Sequence, residues 1–286
     1  MTDFDSPSQF FDIEGGPRIH YTQNGNPAGP LLICLHGLGG SLATFVPLLP
    51  HLPSDKYNIV SVDFEGFGKT ALVSEQLSVQ NYVEDLALFV THLQSSSPTG
   101  AACSESPIII IGHSLGSIVA LHYTAQYPCK VSGLGLLGVG RSASHIAVAK
   151  QRMLRLAERV KDEGIESAAT LAMSTNFAAG EDNEDGRREF VRREVLASDP
   201  KAYAMVCETT VSLEHVDPDF ARIKCPVVFI SGQGDVISPP GKAREISYLL
   251  SGKTVVEVVR GGHQPILSDL HGTADALAEL FRMVKT

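Results

Sequence analysis

Ile108-Ile109-Ile110-Ile111-Gly112-His113-Ser114-Leu115-Gly116 is the stretch whose reading decides the fold. Four consecutive isoleucines read as a strand buried on both faces, as a parallel sheet requires. A glycine-flanked turn follows, and Leu115 to Gln126 then reads as a helix. A serine hydroxyl is a weak nucleophile near neutral pH, so it needs an adjacent base and a rigid, exposed position. Strand, tight turn and helix in that order supply the position. This is the context in which a Gly-x-Ser-x-Gly pentapeptide becomes a nucleophile elbow. Without it, the pentapeptide is a common accident.

Outward from Ser114, apolar runs and helical spacings alternate. Phe10 to Ile13 and Arg18 to Tyr21 flank Glu14-Gly15-Gly16-Pro17 and predict a hairpin. Leu31 to Leu35 and Tyr57 to Val62 predict buried strands. Ser78 to Leu93 has helical spacing, with Ser78 as N-cap. Ser95 to Ser106 is small and polar and reads as an exposed loop. Val131 to Val139, Val227 to Ile230 and Thr254 to Val259 are further strands; Lys242 to Leu250 and Thr273 to Val284 are helices. The alternation predicts an α/β fold with a doubly wound, mostly parallel sheet. From Arg141 to Asp217 the rhythm breaks into four helical segments: Ser144 to Glu163, Ile165 to Asn176, Gly186 to Ala197 and Lys201 to Leu213. The expected organisation is therefore a core of residues 1–140 and 218–286 with a helical lid, 141–217, inserted between two strands. The acidic link Gly180 to Gly186 divides the middle two lid helices.

A base for Ser114 is expected on a late loop. His263, in Gly261-Gly262-His263-Gln264-Pro265, follows a strand and precedes the last helix. His271 lies at the start of that helix with no glycine loop to carry it. His51, His122, His145 and His215 read as surface or packing residues, and His113 points the wrong way to serve its neighbour. For the acid, Asp235 ends the loop after Val227-Val228-Phe229-Ile230, whereas Asp217 and Asp219 lie at the strand's other end. Asp235 would fix the His263 tautomer and stabilise its imidazolium. Two backbone N–H donors must meet the developing oxyanion. Leu115 offers one and Leu38, in His36-Gly37-Leu38-Gly39-Gly40, the other. His36 itself reads as a brace for that loop.

Composition excludes several classes of function. The chain has 286 residues and a formal net charge of −9, which argues against nucleic acid and against anionic membrane surfaces. Cys34, Cys103, Cys129, Cys207 and Cys225 are scattered without a CxxC pair, so neither a disulfide framework nor a zinc site is expected. Met1 to Gln9 is polar and acidic and carries no signal-peptide pattern. No apolar run is long enough to span a bilayer. These features predict a soluble cytoplasmic protein that needs no metal and no organic cofactor; they do not indicate an oligomeric state.

Taken together, these motifs resemble the α/β-hydrolase superfamily over nearly the whole chain. The matching residues are His36-Gly37-Leu38-Gly39-Gly40, Asp63-Phe64-Glu65-Gly66-Phe67-Gly68-Lys69-Thr70, Gly112 to Gly116, Gly232-Gln233-Gly234-Asp235 and Gly262-His263. The chain looks most like the lidded 3-oxoadipate enol-lactonase and carboxylesterase group. That resemblance implies a triad of Ser114, Asp235 and His263 and oxyanion donors at Leu38 and Leu115. Glu65 stands where the family usually has arginine, and Thr70 where it has serine, which puts local salt-bridging in question. Ser114 and Gly39 argue against the dehalogenase and epoxide hydrolase branches, which use an aspartate nucleophile. The expected reaction is hydrolysis of a small or medium apolar carboxylic ester or lactone through an acyl-enzyme. Leu42, Phe45 and Phe64 are expected beside the substrate, and Arg141 as a candidate partner for a substrate carboxylate. A C–C hydrolase acting on a diketone, and a non-turnover receptor on the same scaffold, are the alternatives.

Overall fold

The central strand β5 (Ile108–His113) is buried along its whole length, and its isoleucines alternate between two cores. Ile108 and Ile110 join one apolar cluster, Ile109 and Ile111 the other. That alternation is the period-two geometry of a strand covered on both faces. The computed structural model describes residues 7–96, 106–181 and 186–284. Most of the predicted Ser95 to Ser106 loop and part of the Gly180 to Gly186 link lie outside the described residues.

Around β5 the sheet has eight strands in the order β1-β2-β4-β3-β5-β6-β7-β8. They are β1 (Gln9–Asp12), β2 (Arg18–Gly25), β3 (Leu31–Leu35), β4 (Asn58–Val62), β6 (Val131–Leu137), β7 (Val227–Gly232) and β8 (Thr254–Val259). β1 and β2 form the predicted hairpin, β2 alone runs antiparallel to the rest, and every pairing from β4 to β8 is parallel. This is the α/β-hydrolase fold. Helices α1 (Val79–Ser95) and α2 (Leu115–Gln126) cover one face. Ser78 caps α1 by accepting from the Asn81 N–H, as its sequence position predicts. Before β8, α7 (Pro240–Ser247) starts two residues earlier than the predicted Lys242, because Pro240 is preorganised for a first helical turn. The other face is closed by the last helix α9 (Leu270–Val284), preceded by the short α8 (Pro265–Ser268).

Between β6 and β7 the described residues build four α-helices and no strand: α3 (Ala147–Glu163), α4 (Ile165–Thr175), α5 (Arg187–Leu196) and α6 (Pro200–Thr209). α3 packs on α6 and α4, and α4 packs on α5. α6 ends at Thr209, short of the predicted Leu213, and residues 210–216 form turns that return the chain to the core. The two ends of the insertion meet. Arg141 Nε donates to Asp217 Oδ2 at 2.8 Å, and the Ser142 N–H donates to Asp217 Oδ1 at 2.9 Å.

No described helix is long and apolar enough to cross a membrane. Cys34, Cys207 and Cys225 are buried free thiols and Cys129 is exposed. Cys103 lies outside the described residues.

Candidate active site

Ser114 is the only non-glycine residue with positive φ among the described residues, at φ 50° and ψ −111°. An L-residue in this region costs about 1–3 kcal/mol and persists only where its surroundings hold it. They do so here from both sides. The Ser114 N–H donates to the Leu137 carbonyl at the end of β6, and the Gly116 N–H donates to the His36 carbonyl. A Cβ on Gly116 would lie 2.1 Å from the Leu35 carbonyl oxygen, so only glycine lets α2 approach β3 this closely. The sharp turn between strand and helix leaves the Ser114 Oγ partly accessible.

Three side chains from three loops meet at this point. His263 Nε2 lies 2.9 Å from Ser114 Oγ, and His263 Nδ1 lies 2.8 Å from Asp235 Oδ2. An ionised carboxylate only accepts, so the imidazole proton sits on Nδ1, and Nε2 is free to accept from the serine hydroxyl. Asp235 is buried, and burial alone would raise its pKa. The His263 charge and hydrogen bond outweigh that cost, together with the N–H groups of Ser238 and Ile237 on Oδ1, each at 2.8 Å. The carboxyl therefore stays below its ordinary value and ionised.

The loop after β3 is a turn closed by the Gly40 N–H on the Gly37 carbonyl, with Leu38 and Gly39 at its centre. Gly39 has φ 71°, the left-handed conformation that the third position of a type II turn requires. His36 braces the loop as expected. Its Nδ1–H donates to the Gly37 carbonyl at 2.8 Å, and its Nε2 accepts the Phe64 N–H at 3.0 Å. Burial holds the His36 imidazole below its ordinary pKa, against the Asp63 charge and its bond to Gly37, so it is neutral. In the first turn of α2, the Gly116 and Ser117 N–H groups are spent on the carbonyls of His36 and Ser114. The Leu115 N–H has no carbonyl four residues back within the helix. The turn that carries Leu38 lies close to Ser114, since a Cβ on Gly37 would stand 3.1 Å from the Ser114 Cβ.

Four residues expected beside the substrate are placed differently. Phe45 is fully buried in the core under α9, with Leu32, Cys34 and Leu48, on the far side of the sheet from α2. Leu42 lines a surface groove with Lys69 and Ala197 and gives its N–H to Asp63 Oδ1 at 2.7 Å. Phe64 is buried and packs its ring on His36 and Tyr82. Arg141 is engaged by Asp217 and lies 5.3 Å over the Phe220 ring, which removes it as a free clamp for a substrate carboxylate. Short sequence distance from a motif proved a poor guide to which side chains face the crevice.

A crevice of about 50 Å³ beside the turn after β3 is lined from the inserted helices by Phe190, Glu194, Val195 and Tyr203, and also by Asn176 and Gln264. Sequence reading missed these residues. Only Gln264, adjacent to His263, carried a signal; the helical ones have no fixed spacing to Ser114. Glu194 accepts from Ser41 Oγ, and burial raises its pKa, as does Asp63, against the Ser41 bond and Arg193. The site is also tied to the insertion through Asn176. Its carbonyl accepts the His263 N–H at 2.7 Å, and its side-chain oxygen accepts from Gln264 at 2.9 Å.

The two departures in the loop after β4 have structural answers. Glu65 accepts the N–H groups of Val73 and Ser74 and the Ser74 hydroxyl. Thr70 donates to the Asp63 carbonyl and accepts the His20 N–H.

The family model described as Serine aminopeptidase, S33 matches residues 26–268. The chain belongs to this α/β-hydrolase family. Among relatives, this hydrolase is 26% identical over 255 residues to a pyrrolizixenacetamide deacetylase of Xenorhabdus hominickii, covering 86% of this chain and 88% of that protein. It is 28% identical over 138 residues to protein phosphatase methylesterase 1 of Candida albicans, a match that spans 48% of this chain and only 36% of that longer protein. Among solved structures, a thermophilic esterase from Thermogutta terrifontis superposes with a TM-score of 0.82 at 22% identity, over 98% of this hydrolase and all of that chain. The enol-lactonase of Burkholderia xenovorans LB400 gives 0.79 at 17% identity, over 96% and 100%. The expected likeness to esterases and enol-lactonases is thereby met at the level of fold.

Proposed function

We propose that this hydrolase cleaves small or medium carboxylic esters or lactones through an acyl-enzyme on Ser114. The observation that carries the reading is the hydrogen-bonded chain Asp235–His263–Ser114, which ends on a strained serine at a helix N-terminus. Ser114 Oγ attacks the carbonyl carbon while His263 Nε2 takes its proton. The imidazolium is stabilised by Asp235 and returns the proton to the leaving oxygen. Leu38 and Leu115 N–H groups hold the oxyanion. Water then enters, is deprotonated by His263, and releases the acid and Ser114. None of these steps calls on a metal or an organic cofactor.

In this reading residues 141–217 are a cap over the core, and the crevice walled by Tyr203, Phe190 and Val195 receives the acyl group. It is bounded by His113, the neighbour of Ser114, and by the Leu38 turn. The test is a panel of p-nitrophenyl esters from acetate to octanoate, with enol-lactones, run beside a fluorophosphonate label. Wild type should turn over the short esters and take one label, and Ser114→Ala should do neither. Purified, folded wild type that shows neither turnover nor labelling would overturn the proposal.

A further inference from the structure

Two hollows flank the seam where α5 lies on the core. One is the crevice beside the turn after β3, whose lining includes His113 and Gly37 next to Ser114. The other is a surface groove of about 390 Å³, which neither Ser114, Asp235 nor His263 lines. Among the described residues, Glu194 alone belongs to both linings. Val191 and Val195 of α5 line the crevice with it, and Ala197 at the end of that helix lines the groove. The turn after β3 divides in the same way. Gly37 to Gly40 line the crevice, and Ser41, Leu42 and Ala43 line the groove. The partition between the hollows is therefore this turn on the core side and the Glu194 side chain on the inserted side.

Ser41 Oγ donates to Glu194 Oε2 across this seam. The tie is between two side chains. By contrast, Gly39 and Gly66 bring α5 and α6 onto the core at close range. A Cβ on Gly39 would stand 2.8 Å from Tyr203 Cε2 and 2.9 Å from Val195 Cγ2, and one on Gly66 would stand 2.1 Å from Ala202 Cβ. The Asp199 N–H also donates to the Gly66 carbonyl at 3.0 Å. Those contacts move only with the main chain. A carboxylate held by one hydroxyl can turn about its own torsions between staggered positions. Beyond the partition the groove presents apolar side chains: Leu42, Ala43 and Val46, from the segment that Ser41 caps, and Ala197.

We propose that Glu194 sets the length of acyl group that this hydrolase accepts: tied to Ser41 its side chain ends the crevice, and shortened or released it joins the crevice to the groove. The inference rests on the reading that the crevice takes the acyl group. Short acyl groups stay inside the closed partition. A longer chain has to displace Glu194 and then lies along Leu42, Val46 and Ala197. Glu194 is a specificity-determining wall, separate from the groups that react at Ser114.

The probe is the series of p-nitrophenyl esters from acetate to octanoate, read as kcat/KM at each chain length on purified, folded enzyme. In wild type the values should fall beyond the short chains. Glu194→Ala should raise the octanoate-to-acetate ratio by about tenfold or more, since each methylene admitted to an apolar site counts. Glu194→Gln keeps the length of the side chain and can still accept from Ser41 Oγ, so its profile should match wild type; this separates a wall from a charge. Ser41→Ala removes the tie from the core side and should shift the ratio in the same direction by a smaller factor. It also carries the test if Glu194→Ala does not fold. Glu189→Ala, at an exposed position of the same helix, should leave the profile unchanged. A ratio that stays at the wild-type value in Glu194→Ala and Ser41→Ala, or that rises as far in Glu194→Gln as in Glu194→Ala, overturns the proposal alone. Wild type that cleaves no ester of the series overturns the ester reading and this proposal with it.

Discussion

The ring of His113 donates through Nε2–H to the backbone carbonyl of His263 at 2.8 Å. The residue just before Ser114 in sequence therefore holds the main chain of the proposed base, while the His263 N–H is held by the Asn176 carbonyl at 2.7 Å. The loop that presents the imidazole is fixed on one side by β5 and on the other by the inserted helices. Burial lowers the His113 pKa, with the neighbouring His263 and His36 adding to the effect, and the value falls to about 3 despite the carbonyl bond and Asp235. His113 stays neutral at working pH and remains a donor through Nε2.

Replacing His113 with leucine keeps the bulk and removes the donor, leaving a buried carbonyl without its partner. Such a loss costs about 1–3 kcal/mol of stability. A shift of the imidazole by a fraction of an ångström should lower kcat by about tenfold to a hundredfold with KM little changed. Steady-state kinetics beside thermal melting would show both; an unchanged kcat would remove His113 from any positioning role.

Asp235→Asn should lower kcat by about 10⁴, because the amide favours the wrong imidazole tautomer. The wild-type carboxyl lies below its ordinary 3.8, so it remains ionised as pH falls from neutrality to that value. Loss of activity between pH 7 and pH 4 should therefore not come from Asp235. The pH–rate profile of the variant on an activated ester, set beside wild type, checks both points.

Asp85 on α1 carries a stability cost that pH should reveal. Burial, then Glu65 and then Glu84 raise its pKa from 3.8 to about 7. Between these values the folded state holds a proton that the unfolded chain has released, so Asp85 makes stability fall as pH rises from about 4 to 7. Asp85→Asn should raise the melting temperature at pH 8 and leave it unchanged at pH 3. A variant less stable than wild type at pH 8 would contradict this sign.

Asp269 shows the opposite linkage. The Arg260 side-chain bond leads in lowering its pKa to about 2; burial opposes it, and the Arg260 and Gly272 N–H groups and the Arg260 charge add to it. Its contribution is present above about pH 4 and is lost as pH falls toward 2. Asp269→Asn should melt below wild type at pH 7, with the gap closing near pH 2.

The strands, the order of the motifs and the meeting of Ser114, Asp235 and His263 were all legible in the sequence. Each depends on local signals: the isoleucine run, the glycine turns and the loops at the carboxyl ends of strands. The crevice was not legible. Tyr203 and Glu194 reach it because α5 and α6 pack over the turn at Gly39, and helix-on-core packing leaves no spacing to read. Phe45 shows the converse error. It lies a few residues from Leu38, yet the turn after Ser41 sends its ring into the opposite core. Arg141 likewise carried a charge that looked available until Asp217, far along the chain, was brought to it by the fold.

The backbone of Ser114 has a consequence for engineering. A glycine there would adopt φ 50° without penalty, recovering about 1–3 kcal/mol of strain against about 0.4–1 kcal/mol of added freedom in the unfolded chain. Ser114→Gly should therefore melt higher than wild type while losing its reactivity. Screens for thermal tolerance alone would drift toward a dead protein at this position, and the residue on which the proposed chemistry depends is one that selection for durability would discard first.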